Sequence, residues 1–507
     1  MTIEQKLSVL ESMTQIADEG GMAEGEEQLL SNFLPLRSYS KMADERVFLI
    51  TGGRGAGKTE LFRVLTSPDG FKHVVSELDR KRYTGSQQRR FIVGYITNIN
   101  ASSRSKDFPA NEIFSSYAKE QKEERITCLW AGMLCYVLLR EFAGEPGLIG
   151  LANESLGVEL TEILIQPDSC KQPRLWIGRM EENVQGWELF FDRVDDYFEQ
   201  QSLQIYVTYD ELDRICPKYS DLFIYIRALL NFWYTHNNRW RYLKAKIFLR
   251  SDLYNSRALH FVDASKMRGL HMELKWDSPS LYRLLIKRLM NCGNLDVETY
   301  LADIPGLYEG QKKGVLGYIP GVSEDVSKCL MEKMVGKYMG SNPKKGLSYS
   351  WIPNHIQDAN SEISPRSFLK CFLFAAQDMY DNSSEVAKLQ GKYVLSPSRL
   401  QAAVTKVSVD RVKELTQEEY GWLENLVDRL RGQTMLMDKM EFMHYLEGQA
   451  WPEAERDELP GTTALEIFDV LKTLGIIQET WDGRINVPEI YLHGFGLKRR
   501  GGIRRPR

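Results

Sequence analysis

The segment Gly52-Gly53-Arg54-Gly55-Ala56-Gly57-Lys58-Thr59 is where residue type and spacing bear most directly on chemistry. It fits GxxxxGK[ST], with Lys58 and Thr59 in register. Glycines let a chain turn through φ > 0, so that successive N–H groups point inward at phosphate oxygens. Lys58 offers a point charge to the β- and γ-phosphates of a nucleotide, and the Thr59 hydroxyl is placed to ligate Mg²⁺. Glu60 follows in the first turn of a helix whose dipole completes the anion site. The expected cofactors are ATP and Mg²⁺. A chance Gly-rich turn is the alternative, but at average composition the pattern occurs only about 0.02 times in a chain of this length.

A magnesium nucleotide needs an acid from a second strand. Leu203 to Tyr209 is a β-rich run that ends in Asp210-Glu211-Leu212-Asp213-Arg214. Asp210 is the expected metal ligand, acting through the water shell. Glu211 is expected to polarise the attacking water. Solvated acids at a surface strand end are the alternative. A further run, Tyr242 to Leu249, ends in Arg250-Ser251-Asp252. Arg250 is expected either to read the γ-phosphate or to pair with Asp252 as a surface arginine.

These residues require a scaffold. Val47 to Ile50 reads as a strand buried on both faces, and Leu61, Phe62 and Leu65 after it carry helical spacing. With a helix over Asp221–Asn237, the acid strand and the Arg250 strand repeat the βαβ logic of a parallel sheet. Phe91 to Asn98 supplies another strand. About 150 residues separate Thr59 from Asp210, more than one crossover needs. Ile113–Gln121, Leu129–Phe142 and Trp187–Gln201 read as helices, so a helical insertion is expected at about 104–202. It either binds a partner or enlarges the core.

Composition narrows the classes. Of 507 residues, 43% are hydrophobic and 26% charged, and 65 basic against 69 acidic residues give a net charge of −4. This is neither a polycation nor an acidic coat. The most apolar run, Leu222–Tyr234, contains Arg227 and Asn231 and falls short of a membrane helix. The opening MTIEQKLSVLESM has no apolar signal region, so a cytoplasmic location is expected. Seven scattered cysteines form no CxxC, and no histidines stand at HExxH spacing, so neither a disulfide framework nor a zinc site is expected.

From about Leu281 the chain turns helical. The stretches 303–325 and Gly340–Pro353 read as loops, and Ser396–Gln433 as helix with a solvated charged face. Ala464–Leu474 reads as a helix stopped by Gly475. Ile476–Trp481 and Arg484–Val487 then flank Asp482-Gly483, a hairpin signal. A helix followed by a hairpin is the tail of a winged helix, a module that binds DNA or docks protein. Residues 498–507 carry six cations and no acid, which suits DNA or RNA, or a solvated tail.

Together these motifs resemble the AAA+ and STAND-type P-loop ATPases, most closely the Orc-like and KAP-like clade, many of them bacterial and linked to anti-phage defence. The resemblance covers roughly residues 30–375. It rests on the loop at 52–59, the DELDR stretch at 210–214, the polar tip at Arg250, LKWD at 274–277 and Ile363-Ser364-Pro365-Arg366-Ser367-Phe368. It implies an α/β fold, a parallel P-loop sheet with a helical insertion, a helical lid and a C-terminal winged-helix-like domain. The implied divisions are an ATPase core at 1–280, a lid at 281–395, a C-terminal domain at 396–497 and a basic tail at 498–507. It also implies that Arg366 in the lid contacts nucleotide. Arg214 is a weak candidate for an arginine finger acting on a neighbouring subunit. The implied function is Mg²⁺-dependent ATP hydrolysis coupled to a homo-oligomer or a separate effector protein. The rivals are an Orc-like DNA-loading ATPase and a scaffold that holds ATP without hydrolysing it.

Overall fold

The structure, a computed structural model, describes residues 1–17, 26–78, 88–98, 102–118, 122–216, 219–255, 259, 266–310, 312–447, 451 and 459–499. The chain forms two compact units, Ala23–Leu274 and a second made of Met1–Met22 with Lys275–Arg507.

The first unit is built on five parallel strands: β1 (Leu49–Gly52), β2 (Gln88–Tyr95), β3 (Leu203–Tyr209), β4 (Leu243–Arg250) and β5 (His271–Leu274). Their order across the sheet is β2-β3-β4-β1-β5. The fold is therefore α/β with a parallel sheet, as the βαβ pattern requires. All of β1 and β4 is buried, which explains their largely apolar character; the charged residues of β4 are Lys244, Lys246 and, at its end, Arg250. Lys244 donates to the Asn237 carbonyl at 2.7 Å. Lys246 donates to the carbonyls of Met42 at 3.0 Å and of Val47, and its ammonium lies 5.1 Å from the centre of the Tyr206 ring. Burial pushes the Lys246 pKa down to about 7. This ammonium satisfies carbonyls of the segment that leads into β1, so an apparently misplaced charge anchors the strand ahead of the loop.

The crossover from β2 to β3 is the helical insertion: Asn111–Ala118, Glu123–Glu141, Pro146–Leu156, Val158–Ile165, Ile177–Glu182 and Val184–Gln200. Glu123–Glu141 begins six residues before the expected Leu129, because its first turn is acidic and apolar spacing does not register it. Cys128 to Leu139 are all buried, so this helix is a core element rather than an amphipathic cover. Gly132 is obligatory there, since a Cβ would lie 2.2 Å from the Trp176 ring. Trp130 Nε1 donates to the Tyr225 carbonyl at 3.0 Å, and Glu123 accepts from Arg227 at 2.6 Å. Both contacts lock the insertion to the helix Tyr219–His236. The insertion enlarges the core.

The second unit is mainly helical. Ile3–Thr14, which the sequence reading grouped with the ATPase core, belongs here, and Lys6 Nζ donates to the Leu389 carbonyl at 2.8 Å. Residues 340–353 are not all loop, because Ser348–Ile356 is a helix with Pro353 inside it. Proline removes the N–H that would serve the Tyr349 carbonyl. The Tyr282 hydroxyl serves it instead at 2.5 Å, a compensation invisible to local sequence. Ser396–Gln433 divides into Pro397–Glu414, a π turn at Leu415–Glu419 and Leu423–Leu430.

Ala464–Thr473 is followed by Gly475 at φ 70° and by antiparallel Gln478–Glu479 and Ile485–Asn486. The hairpin closes through Thr480 N to the Arg484 carbonyl at 2.8 Å, so three residues form the turn, not two. Lys498–Arg499 is a strand beside Thr434–Met435, so the expected basic tail starts inside the fold. Its residues 500–507 lie outside those described.

Candidate functional site: a phosphate loop facing an acid strand

The loop between β1 and the helix Lys58–Thr66 has the backbone its glycines suggest. Gly57, at φ 93°, caps the helix, and Gly55 stands at φ 71°. A Cβ on Gly52 would come within 3.1 Å of both Ala56 and Leu274, so the loop closes tightly against β5. Lys58 Nζ donates to the carbonyls of Gly52 and Gly53, both at 2.9 Å, and draws the loop around its own ammonium. Burial lowers the Lys58 pKa, while the charges of Asp210, Asp213 and Asp252 oppose that shift. Arg54 lies at the loop crest and Glu60 in the first helical turn.

Sheet order brings the remaining parts together. β4 separates the loop strand from the acid strand, with Gly52 in register with Arg250 and Tyr209 with Ile247. Asp210 follows β3 directly and is buried. The Thr59 hydroxyl is hydrogen-bonded to its carboxylate, although the two residues lie on different strands' connections. Burial first, and then the neighbouring Glu211, push the Asp210 pKa up to about 7, against the Thr59 bond and Lys58. Asp210 Oδ2 has no hydrogen-bond partner although it is buried.

That orphaned oxygen is a good fit for a hydrated cation. Among the described residues no cluster of three or more His, Cys, Asp or Glu side chains suits a metal. A cation here would rest on Thr59, Asp210, water and phosphate, the sparse protein set that Mg²⁺ favours. The geometry suits an anion at the loop amides with a hydrated cation beside it.

Glu211 adopts a left-handed backbone, φ 56° and ψ 32°. Its Oε2 accepts from the Thr97 hydroxyl at 2.5 Å, and its Oε1 lies 3.6 Å from Arg214 Nη1. Thr97 was missed by sequence reasoning. Its only signal was its place just past β2, which matters once β2 is known to neighbour β3. Arg214 is half-exposed and pairs within its own chain. Arg250 pairs with Asp252 and also with Asp213, and it is buried rather than the surface arginine of the alternative. Arg366 lies in the second unit, in the first turn of Pro365–Tyr380 after the N-cap Ser364, where Pro365 and the helix start were expected. Its Nη1 is 4.0 Å from Glu414.

No protein-family model matches the chain, and no curated protein matches it. Among solved structures it is similar to the ORC2 protein of Aeropyrum pernix, described in ADPNP-ADP complexes. That likeness spans 93% of this chain and 96% of the other at 13% identity, with a TM-score of 0.38. A superposition so loose carries no function across, and the site stands on its own geometry.

Proposed function

We propose that the chain is a Mg²⁺-dependent ATPase of the AAA+ kind. The carrying observation is the buried Asp210, which meets Thr59 at the end of the loop at 52–59 and keeps its Oδ2 unpartnered. Loop amides and Lys58 bind the phosphates. Thr59 and Asp210 would hold Mg²⁺, whose role when bound is to neutralise charge on the β- and γ-phosphates. Glu211 accepts a proton from water as its oxygen bonds to the γ-phosphorus and the bond to the β–γ bridging oxygen breaks, leaving ADP and phosphate. Arg250 steadies the charge on the γ-phosphate. The role of Arg366 rests on the resemblance alone.

In this reading nucleotide state governs a homo-oligomer or a separate effector, and anti-phage defence is the setting the resemblance suggests. Trp481, 96% exposed at the hairpin tip, favours a second reading. In that reading a winged-helix-like module, with the basic segment from Lys498, touches DNA or RNA.

The test is ATP binding and steady-state hydrolysis by the parent, Lys58→Ala and Glu211→Gln proteins, with and without duplex DNA. The reading expects turnover by the parent, loss of binding in Lys58→Ala, and binding without turnover in Glu211→Gln. Stimulation by DNA would promote the second reading. A parent that binds ATP and never hydrolyses it would instead be a scaffold.

A further inference from the structure

Residues 310–323 and 333–357 hold six lysines, no arginine and no acid, in a chain whose acids outnumber its bases. Five of these, Lys312, Lys313, Lys337, Lys344 and Lys345, are exposed and form no ion pair among the described residues. Their neighbours differ, since Lys328 faces Glu324 at 3.3 Å, and Lys333 and Lys392 share Asp303. Two ordered turns carry the five. In the first, Gly314 and Gly317 exchange backbone hydrogen bonds at 3.3 and 2.9 Å. In the second, Met339 N donates to the Gly346 carbonyl at 2.9 Å and Ser348 N to the Lys337 carbonyl at 3.0 Å. Asn342 Oδ1 accepts from Lys344 N at 3.1 Å, and the Lys345 stem crosses Gly340, where a Cβ would lie 2.9 Å from it. Consecutive residues of the helix Ser278–Met290 anchor both segments. The Tyr282 hydroxyl donates to the Tyr349 carbonyl, and Arg283 donates to the Pro320 carbonyl at 3.1 Å. The unpaired charges therefore stand on one braced base.

Aliphatic side chains lie bare among these lysines. Val315 is 54%, Val322 57% and Leu347 47% exposed. The tyrosines beside them are half-buried, and Lys313 and Lys337 each lie 5.9 Å from the centre of a ring, Tyr318 and Tyr338. Nucleic-acid phosphates would attract the lysines but offer nothing to exposed aliphatics, and single strands are held by stacking on open aromatics. An anionic bilayer engages both groups, because its surface charge attracts lysine and its acyl boundary takes up apolar side chains. We propose that this face docks on the surface of an anionic lipid bilayer. The five lysines lie at the headgroups, and Val315, Val322 and Leu347 enter the acyl boundary. The contact is peripheral, since among the described residues no helix is long and apolar enough to cross a membrane. Docking of this kind goes beyond the ATPase reading and does not depend on it.

The measurement is co-sedimentation of the full chain with phosphatidylcholine vesicles, with and without about one third phosphatidylglycerol, beside duplex DNA binding at the same salt. The proteins are the parent and three double variants: Lys344→Gln with Lys345→Gln, Lys312→Gln with Lys313→Gln, and Val315→Ser with Leu347→Ser. All six positions are exposed, so thermal melts and ATP binding should match the parent. The parent should bind only the anionic vesicles, and less as salt rises. Each lysine pair should weaken that binding about thirtyfold. The serine pair should weaken it about tenfold and leave duplex binding unchanged. Absence of vesicle binding, or equal binding to neutral vesicles, would overturn the proposal. Vesicle binding that survives both lysine pairs would also overturn it and would belong to the basic segment from Lys498. Lysine pairs that lose duplex binding and keep vesicle binding would make this face a nucleic-acid surface instead. A serine pair that binds vesicles like the parent would deny the bilayer contact.

Discussion

The Thr97 hydroxyl and the Glu211 carboxylate form a 2.5 Å hydrogen bond between the ends of two neighbouring strands. On its other oxygen Glu211 faces Arg214 at 3.6 Å. If Glu211 is the base of the proposed ATPase, Thr97 sets where it rests between encounters with water. Thr97→Val should lower kcat about tenfold with little change in ATP affinity, since one hydrogen bond to a charged group is at stake. Thr97→Ser should restore it. Faster turnover in Thr97→Val would show instead that the bond holds the base out of action.

Lys246 supports the entrance to β1 from inside the core. Lys246→Met keeps the bulk and strands several carbonyls, and should cost about 2–4 kcal/mol of unfolding free energy. The pH dependence has a definite sign. With its folded pKa lowered to about 7 from 10.5, this amine binds fewer protons folded than unfolded between those values, so the parent gains stability as pH rises through that window. The variant lacks that slope. Denaturant melts at pH 7 and pH 9 should show a larger gap between the two proteins at the higher pH, and a constant gap would refute the assignment.

Tyr282 and Pro353 make a matched pair. Tyr282→Phe leaves the Tyr349 carbonyl without its 2.5 Å donor and should cost about 1–2 kcal/mol. Pro353→Ala supplies a backbone N–H for the same carbonyl. In the Tyr282→Phe background it should recover most of the loss, and a thermal double-mutant cycle would detect this coupling. Additive effects would mean that the hydroxyl matters for another reason.

Trp481 separates folding from docking. The turn that presents it is braced by Asp482, which accepts from Thr480 at 2.6 Å and from Arg484 Nε at 2.8 Å. Trp481→Ala should change stability by less than about 0.5 kcal/mol. If the hairpin contacts nucleic acid, the same change should weaken duplex binding about tenfold, an exposed aromatic being worth about 1–3 kcal/mol per stacked base. Unchanged binding to DNA and RNA would leave protein as the partner class for this tip.

The phosphate loop, the acid strand and the helix starting at Pro365 were legible from residues alone. Their chemistry is local: glycine backbone freedom, a β-rich run broken by acids, and a proline just inside a helix. Strand order was not local. Nothing in the run Leu243–Arg250 states that it lies between the loop strand and the acid strand, yet that placement gives Arg250 two acidic partners. The same order sets Thr97 against Glu211. Nothing in the strand run Tyr242–Leu249 announces the carbonyls that surround Lys244 and Lys246 in the fold, and Pro353 reads as a loop residue until Tyr282 arrives. Residue type and short spacing mark the groups that can do chemistry. Which of those groups meet depends on burial and packing between distant segments, and that is a property of the folded chain.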